Sequence, residues 1–232
     1  MTGRGVLVVG SSSPIGQAIG AAFTASTDTV VGVSLHQPAD LIADCAAAEG
    51  AQAAVRAVID RAGSLDVVVL AAAVMPVAPI TATTDTQWHA ALDAVLGTAF
   101  AVCRTALPVL PRGGTIVAVS SVNATLAAPG VPAYAAAKAG LEGLVRQLAL
   151  EYGPRGISVN AVAPGLIDDG GSPTATAGYP LGRTGRPHEV AAAVHFLAGA
   201  GFITGAVLPV DGGLSIASPA AFLREDLRAR WL

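Results

Sequence analysis

Six apolar runs of strand length, at residues 6–9, 29–33, 65–70, 115–119, 156–162 and 206–210, constrain this chain more than any other feature. Most are apolar at successive positions, as in Val6 to Val9 and Val67 to Leu70, so they expect cover on both faces. Ala-rich stretches of helix length separate them. Strands buried on both faces and alternating with helices predict an α/β, doubly wound parallel sheet. With 232 residues, 53% of them hydrophobic and 12% charged, the chain suits one domain spanning 1–232 with a core of small side chains. In such a sheet a ligand lies at the carboxyl ends of the strands, where strand order reverses. The residues just after each run are therefore the ones to read.

Several function classes drop out. The formal charge is −3 and the arginines are scattered, so no basic field is present for nucleic acid. The longest apolar run, 67–80, is too short for a bilayer and is broken by Pro76 and Pro79, so no membrane partner is expected. The opening Met-Thr-Gly-Arg-Gly has no basic-then-apolar leader, and a cytoplasmic enzyme is expected. Cys45 and Cys103 match no metal spacing, and His89, His188 and His195 have no partner ligands at metal spacing; no metal is expected. Residues 168–187, rich in Gly, Thr, Ser and Pro, read as a mobile lid. Residues 218–232 read as a short amphipathic helix, with Leu223, Leu227 and Trp231 four apart.

Two motifs carry chemistry. After the first run comes Gly10-Ser11-Ser12-Ser13-Pro14-Ile15-Gly16, opening a helical stretch at Gln17. A glycine-rich turn at a helix start lets backbone N–H groups and serine hydroxyls approach a pyrophosphate, and the helix dipole favours the anion. The second motif is Ser121, Tyr134 and Lys138. Lys138 is the sole lysine among 13 basic side chains, and it stands one helical turn after one of three tyrosines. An ammonium beside a phenol favours phenolate and should lower the Tyr134 pKa toward neutrality, as a proton donor and acceptor for a carbonyl requires.

These residues resemble the short-chain dehydrogenase/reductase family. Its pattern places Ser thirteen positions before Tyr and Lys four after it, as Ser121, Tyr134 and Lys138 stand here, and its phosphate loop reads Thr-Gly-x-x-x-Gly-x-Gly. Asn160-Ala-Val-Ala-Pro164-Gly165, Gly182-Arg183-x-Gly185-x-Pro187-x-Glu189-Val190, Thr204-Gly205 and Val210-Asp211-Gly212-Gly213 extend the likeness over nearly the whole chain. The resemblance implies a Rossmann-like domain in which Tyr134 is acid or base, Lys138 holds the nicotinamide ribose, and Ser121 orients the carbonyl. It implies a cofactor lying along Gly10, Ser12, Ser13, Ile15 and Gly16. Ser34 and His36 would stand at the 2′ position, Asp44 at adenine, Ala71, Ala72 and Ala73 beside the cofactor, and Pro164, Gly165 and Ile167 around the nicotinamide. With no carboxylate after the second run, NADP is favoured over NAD. A homo-oligomer, tetramer or dimer, is also implied.

The chain departs from that pattern near the crevice. Pro14 replaces the middle glycine of the loop, although proline suits a first helical turn. Leu70-Ala71-Ala72-Ala73 stands for Asn-Asn-Ala-Gly. Val95 falls on the fourth catalytic residue, an Asn whose bound water links Lys to solvent in the family's proton relay. Asp169 stands for a Thr. The expected activity is NADPH-dependent reduction of a small ketone or aldehyde. Asp168 and Asp169 disfavour an anionic substrate, and the Ala-rich wall suits a neutral, apolar one. The departures keep two alternatives open: a ligand-binding regulatory subunit without redox turnover, and a non-redox dehydratase, cyclase or isomerase.

Overall fold

The computed structural model describes residues 3–168, 176–219 and 223–230. The elements are β1 (Gly5–Val9), α1 (Pro14–Ala25), β2 (Thr29–Ser34), β3 (Leu41–Ile42), α2 (Ala48–Ala62), β4 (Val67–Leu70), α3 (Asp85–Leu92), α4 (Thr98–Ala106), β5 (Thr115–Val119), α5 (Pro132–Tyr152), β6 (Ser158–Pro164), α6 (Pro187–Gly199) and β7 (Val207–Val210). One seven-stranded parallel sheet runs in the order β3-β2-β1-β4-β5-β6-β7. The expected doubly wound sheet is thus present, and every expected run contributes a strand.

The pattern of burial explains why. Leu7, Val9, Val68, Leu70, Ile116 and Ala118 point into one core with residues of α2, α4 and α5. Val6, Val8, Val67, Val69, Val117 and Val119 point into the other with Ile19 and Phe23 of α1 and Val190, Val194 and Leu197 of α6. Continuous apolar runs are what two covered faces demand. Strand order reverses between β1 and β4, so their carboxyl ends open the crevice.

Three segments differ from, or go beyond, what the sequence offered. β3 was not visible in the sequence, because two residues paired with Val33 and Ser34 are too few to make a pattern. Residues 168–187 do not form a free lid through their length. Tyr179 is buried and its hydroxyl accepts the Leu166 N–H at 2.7 Å, while Ile167 pairs with Gly185 and Arg183 grips Glu189 through two bonds. Residues 169–175, Asp169 among them, lie outside the described residues. In 218–232 the described helix is only Glu225–Arg228, with Leu223 83% exposed; Trp231 lies outside the described residues. An exposed Arg224–Asp226 pair occupies the start of that turn.

Fully buried Asn160 ties β6 to the approach to β7, donating to the Ile203 carbonyl and accepting the Ala206 N–H. Asn160→Ala leaves both groups unsatisfied and should cost about 1–3 kcal/mol. Urea denaturation with an unchanged m-value checks this; a midpoint equal to that of the wild type would contradict it.

Candidate active site

At the carboxyl ends of β1, β2 and β4 lies a crevice of about 390 Å³. Gly10, Ser12, Ser13, Ser34, His36, Asp44, Ala71, Ala72 and Ala73 line it, as the sequence reading expected, and Leu35, Cys45, Asp93 and Thr98 join them. The other expected contacts lie outside this lining. Ile15 and Gly16 begin α1, Tyr134 and Lys138 stand on α5, Pro164 ends β6 and Gly165 and Ile167 follow it.

Glycine is required at both ends of the loop. Gly10 has φ +88°, and a Cβ there would lie 2.5 Å from the Ala72 backbone nitrogen. A Cβ on Gly16 would lie 2.2 Å from the Gly10 carbonyl oxygen. Pro14 occupies the first position of α1, as its fixed φ allows, and Ser13 caps the helix by accepting the Gly16 N–H at 3.0 Å. With no N–H on Pro14 and that of Gly16 capped, Ile15 keeps the first-turn donor available to a phosphate. Ser11 does not serve the crevice. Its hydroxyl is buried without a hydrogen-bond partner, against Gly32 of β2.

At the end of β2, the Ser12 and Ser34 hydroxyls share a 2.6 Å hydrogen bond, with Leu35 and His36 exposed beyond them. The nearby carboxylate of Asp40 is turned back into the fold, accepting from the Gly32 N–H at 2.8 Å and from Arg61 at 2.9 Å. No helix intervenes between β2 and β3, so this edge is short, as expected.

Ser121 follows β5, and Tyr134 and Lys138 stand on one face of α5. The Lys138 Nζ lies 5.6 Å from the Tyr134 ring centroid and donates to the Val119 carbonyl at 2.6 Å. The three expected residues therefore converge. Their electrostatics differ from expectation. Burial pushes the Tyr134 phenol up, and a hydrogen bond with Ser121 counters it only in part. Lys138 is 2% exposed, and burial brings its ammonium down to about 7. The correction has a simple cause: a cation that is itself desolvated loses its charge near neutrality and cannot hold a neighbouring phenol ionised.

Val95 lies in a π-helical turn, Asp93–Gly97, between α3 and α4. It is 3% exposed and belongs to the same buried cluster as Ala137 and Leu141, the apolar neighbours of Lys138 on α5. Two residues escaped the sequence reading. Ser120 and Glu142 are both buried and joined by a 2.8 Å hydrogen bond from the serine hydroxyl. The available signal was spacing, since Glu142 follows Lys138 by one turn on an apolar helix face. Cys45 and Cys103 are buried thiols, pushed up to about 11 and about 12, and no cluster of metal-binding side chains occurs among the described residues.

A parallel sheet with its crevice at the reversal of strand order, and a phenol and an amine at the next strand's end, places the protein among the NAD(P)-dependent oxidoreductases. A family model described as enoyl-(acyl carrier protein) reductase matches residues 20–215. An uncharacterized oxidoreductase of Schizosaccharomyces pombe is 37% identical, over 94% of this chain and 93% of its own. A 3-oxoacyl-(acyl-carrier-protein) reductase of Chlamydia trachomatis is 34% identical, over 92% of this chain and 88% of its own. Among solved structures, a blue fluorescent protein from a metagenomic library in complex with NADPH superposes with a TM-score of 0.86 at 29% identity, covering 92% of this chain and 98% of that one. The chain belongs to the short-chain dehydrogenase/reductase family.

Lys138 also gives a pH signature. Its folded pKa, about 7, lies below its unfolded value of 10.5, so above pH 7 the unfolded chain holds the extra proton and stability rises with pH. The raised cysteines act oppositely once their unfolded thiols ionise near 9. From pH 7 to about 8.5, wild type should gain stability and Lys138→Met should not. Equal slopes in denaturation across that window would refute the assignment.

Proposed function

We propose that the protein is an NADPH-dependent reductase of a small-molecule ketone or aldehyde, with Tyr134, Ser121 and Lys138 as its catalytic residues. The observation that carries this reading is their convergence at the end of β5, with the Lys138 Nζ 5.6 Å from the centre of the Tyr134 ring and Ser121 placed to offset part of the cost of ionising the phenol. NADPH, when bound, supplies the hydride that adds to the carbonyl carbon. Ser121 holds the carbonyl oxygen, and the Tyr134 hydroxyl gives that oxygen its proton, so an alcohol is formed. A phenol kept protonated by burial suits this direction, because reduction needs an acid. Lys138 retains donors for ribose hydroxyls beyond the one spent on Val119.

The crevice supports a dinucleotide. Gly10 and Gly16 make a cradle that any Cβ would fill, and the end of β2 presents hydroxyls and His36 instead of a carboxylate. The 2′-phosphate of NADP would meet donors there and no repelling charge. The NADPH complex of a structural relative supports the same choice. The exposed apolar side chains Val74, Met75 and Val77, following β4, suit a neutral, apolar substrate. We place the enzyme in the cytoplasm as a homo-oligomer, tetramer or dimer. Exposed Phe196 and Phe202 near the edge strand β7 support assembly, and no described helix is long and apolar enough to cross a membrane.

Val95 favours a second reading, a family member that binds the nucleotide without redox turnover, because its side chain offers no polar atom to a relay. Loss of a general acid–base element costs about 10²–10⁴-fold, which slows an enzyme without abolishing it. Titration with NADPH and NADH by fluorescence, followed by nicotinamide absorbance with a panel of ketones, separates the two. Turnover with tighter NADPH binding is expected, and binding without turnover would transfer the assignment to the second reading. Tyr134→Phe should lower kcat by about 10²–10⁴-fold while NADPH affinity holds.

A further inference from the structure

Helix α5 is fastened to the end of β5 by two side chains one turn apart. The Lys138 Nζ donates to the Val119 carbonyl at 2.6 Å and Glu142 accepts the Ser120 hydroxyl at 2.8 Å, while Tyr134, one turn above Lys138, stands where the Ser121 hydroxyl offsets part of the cost of ionising the phenol. Helical side chains lean toward the N-terminus, so a long Glu at 142 reaches up the strand to Ser120. Lys138 and Glu142 thus grip consecutive residues of β5's exit, and the Ser120 N–H adds a bond to the Val162 carbonyl on β6. Ser121 is the next residue along. Its hydroxyl accepts the Asn123 N–H at 3.1 Å, and its backbone continues directly from the two residues that Lys138 and Glu142 hold.

Glu142 is an expensive way to fill this space. Glu142 is 5% exposed on a helix whose buried residues Leu141, Val145 and Leu148 are apolar, and its one ion partner among the described residues, Arg146, is 4.0 Å away with its side chain largely in solvent. A buried carboxylate is strongly disfavoured unless it is paired or accepts a hydrogen bond, and an apolar residue would pack there without that penalty. We propose that Glu142 is a positioning residue: by accepting the Ser120 hydroxyl it fixes the exit of β5 and so sets the Ser121 hydroxyl against Tyr134. This rests on the reductase reading above.

Glu142→Gln keeps an oxygen that accepts the same bond and removes the charge; Glu142→Leu removes both; Ser120→Ala removes the donor. Carbonyl reduction is measured for each, with NADPH titration as the test of folding. Glu142→Leu and Ser120→Ala should each lower kcat at least about tenfold while the KM for NADPH stays within about twofold, because the loss is of orientation. The double variant should be no slower than either single one. Glu142→Gln should keep most of the rate. If Glu142→Gln falls as far as Glu142→Leu, charge and not the hydrogen bond matters, and the proposal is overturned. Unchanged kcat in both Glu142→Leu and Ser120→Ala overturns it equally. Should Glu142→Leu fail to bind NADPH, Ser120→Ala, which only deletes an oxygen, decides alone.

A readout free of turnover separates this proposal from the reductase reading. With tyrosine labelled at the ring carbon bearing oxygen, the Tyr134 resonance, assigned by its loss in Tyr134→Phe, reports its hydrogen bond at neutral pH. Ser120→Ala should shift that resonance in the direction that Ser121→Ala shifts it, whether or not any ketone is reduced. An unmoved resonance would show that Ser120 and Glu142 do not set Ser121. Absence of reduction in wild type, with the shift present, would overturn the activity and leave the positioning role standing.

Discussion

An ammonium taken out of water must find acceptors or give up its proton, and much of the site is arranged around that demand at Lys138. The drop of its pKa from 10.5 to about 7 corresponds to about 5 kcal/mol against the charged form. A hydrogen bond to a charged donor contributes about 1.5–3 kcal/mol, so the Val119 carbonyl alone leaves the ammonium short of acceptors. A ligand that brings hydroxyl oxygens next to Nζ therefore binds to a site already in deficit.

The same burial acts on the neighbouring phenol with the opposite sign. Desolvation penalises whichever form is charged, so it discharges the lysine and keeps the tyrosine protonated. Spacing along the helix correctly brought Tyr134 and Lys138 together, but it carried no information on depth. The inference that proximity would ionise the phenol assumed a cation in partial contact with water. Once both groups are buried at the end of β5, desolvation leads, raising the pKa of the phenol and lowering that of the amine.

How far the sequence could be read follows from the range of each interaction. Continuous apolar runs report burial of both strand faces, a property of each residue's own neighbours, and so all six long strands were readable. β3 has two residues and exists only through its pairing with β2. The loop 10–16 was readable because glycine and proline restrict the backbone locally, and Pro14 does sit in the first turn of α1. Tyr179 was not, because its partner is the Leu166 backbone, across a stretch that looks like a loop in composition. Ser120 and Glu142 stayed hidden for a related reason. A serine beside a strand and a glutamate on a helix are ordinary surface residues until the packing of α5 on β5 buries both.

Val95 ties the electrostatics to the backbone. The helix between α3 and α4 is widened to a π-turn, with the Thr98 N–H bonded to the Asp93 carbonyl five residues back. Such a turn disturbs the regular ladder and is commonly retained where a side chain must be aimed. Here the aimed side chain is apolar and joins the cluster that contains Ala137 and Leu141. Valine at that point extends the apolar packing between this turn and α5, the helix that carries Tyr134 and Lys138, and burial of those two groups is what raises the pKa of the phenol and lowers that of the amine.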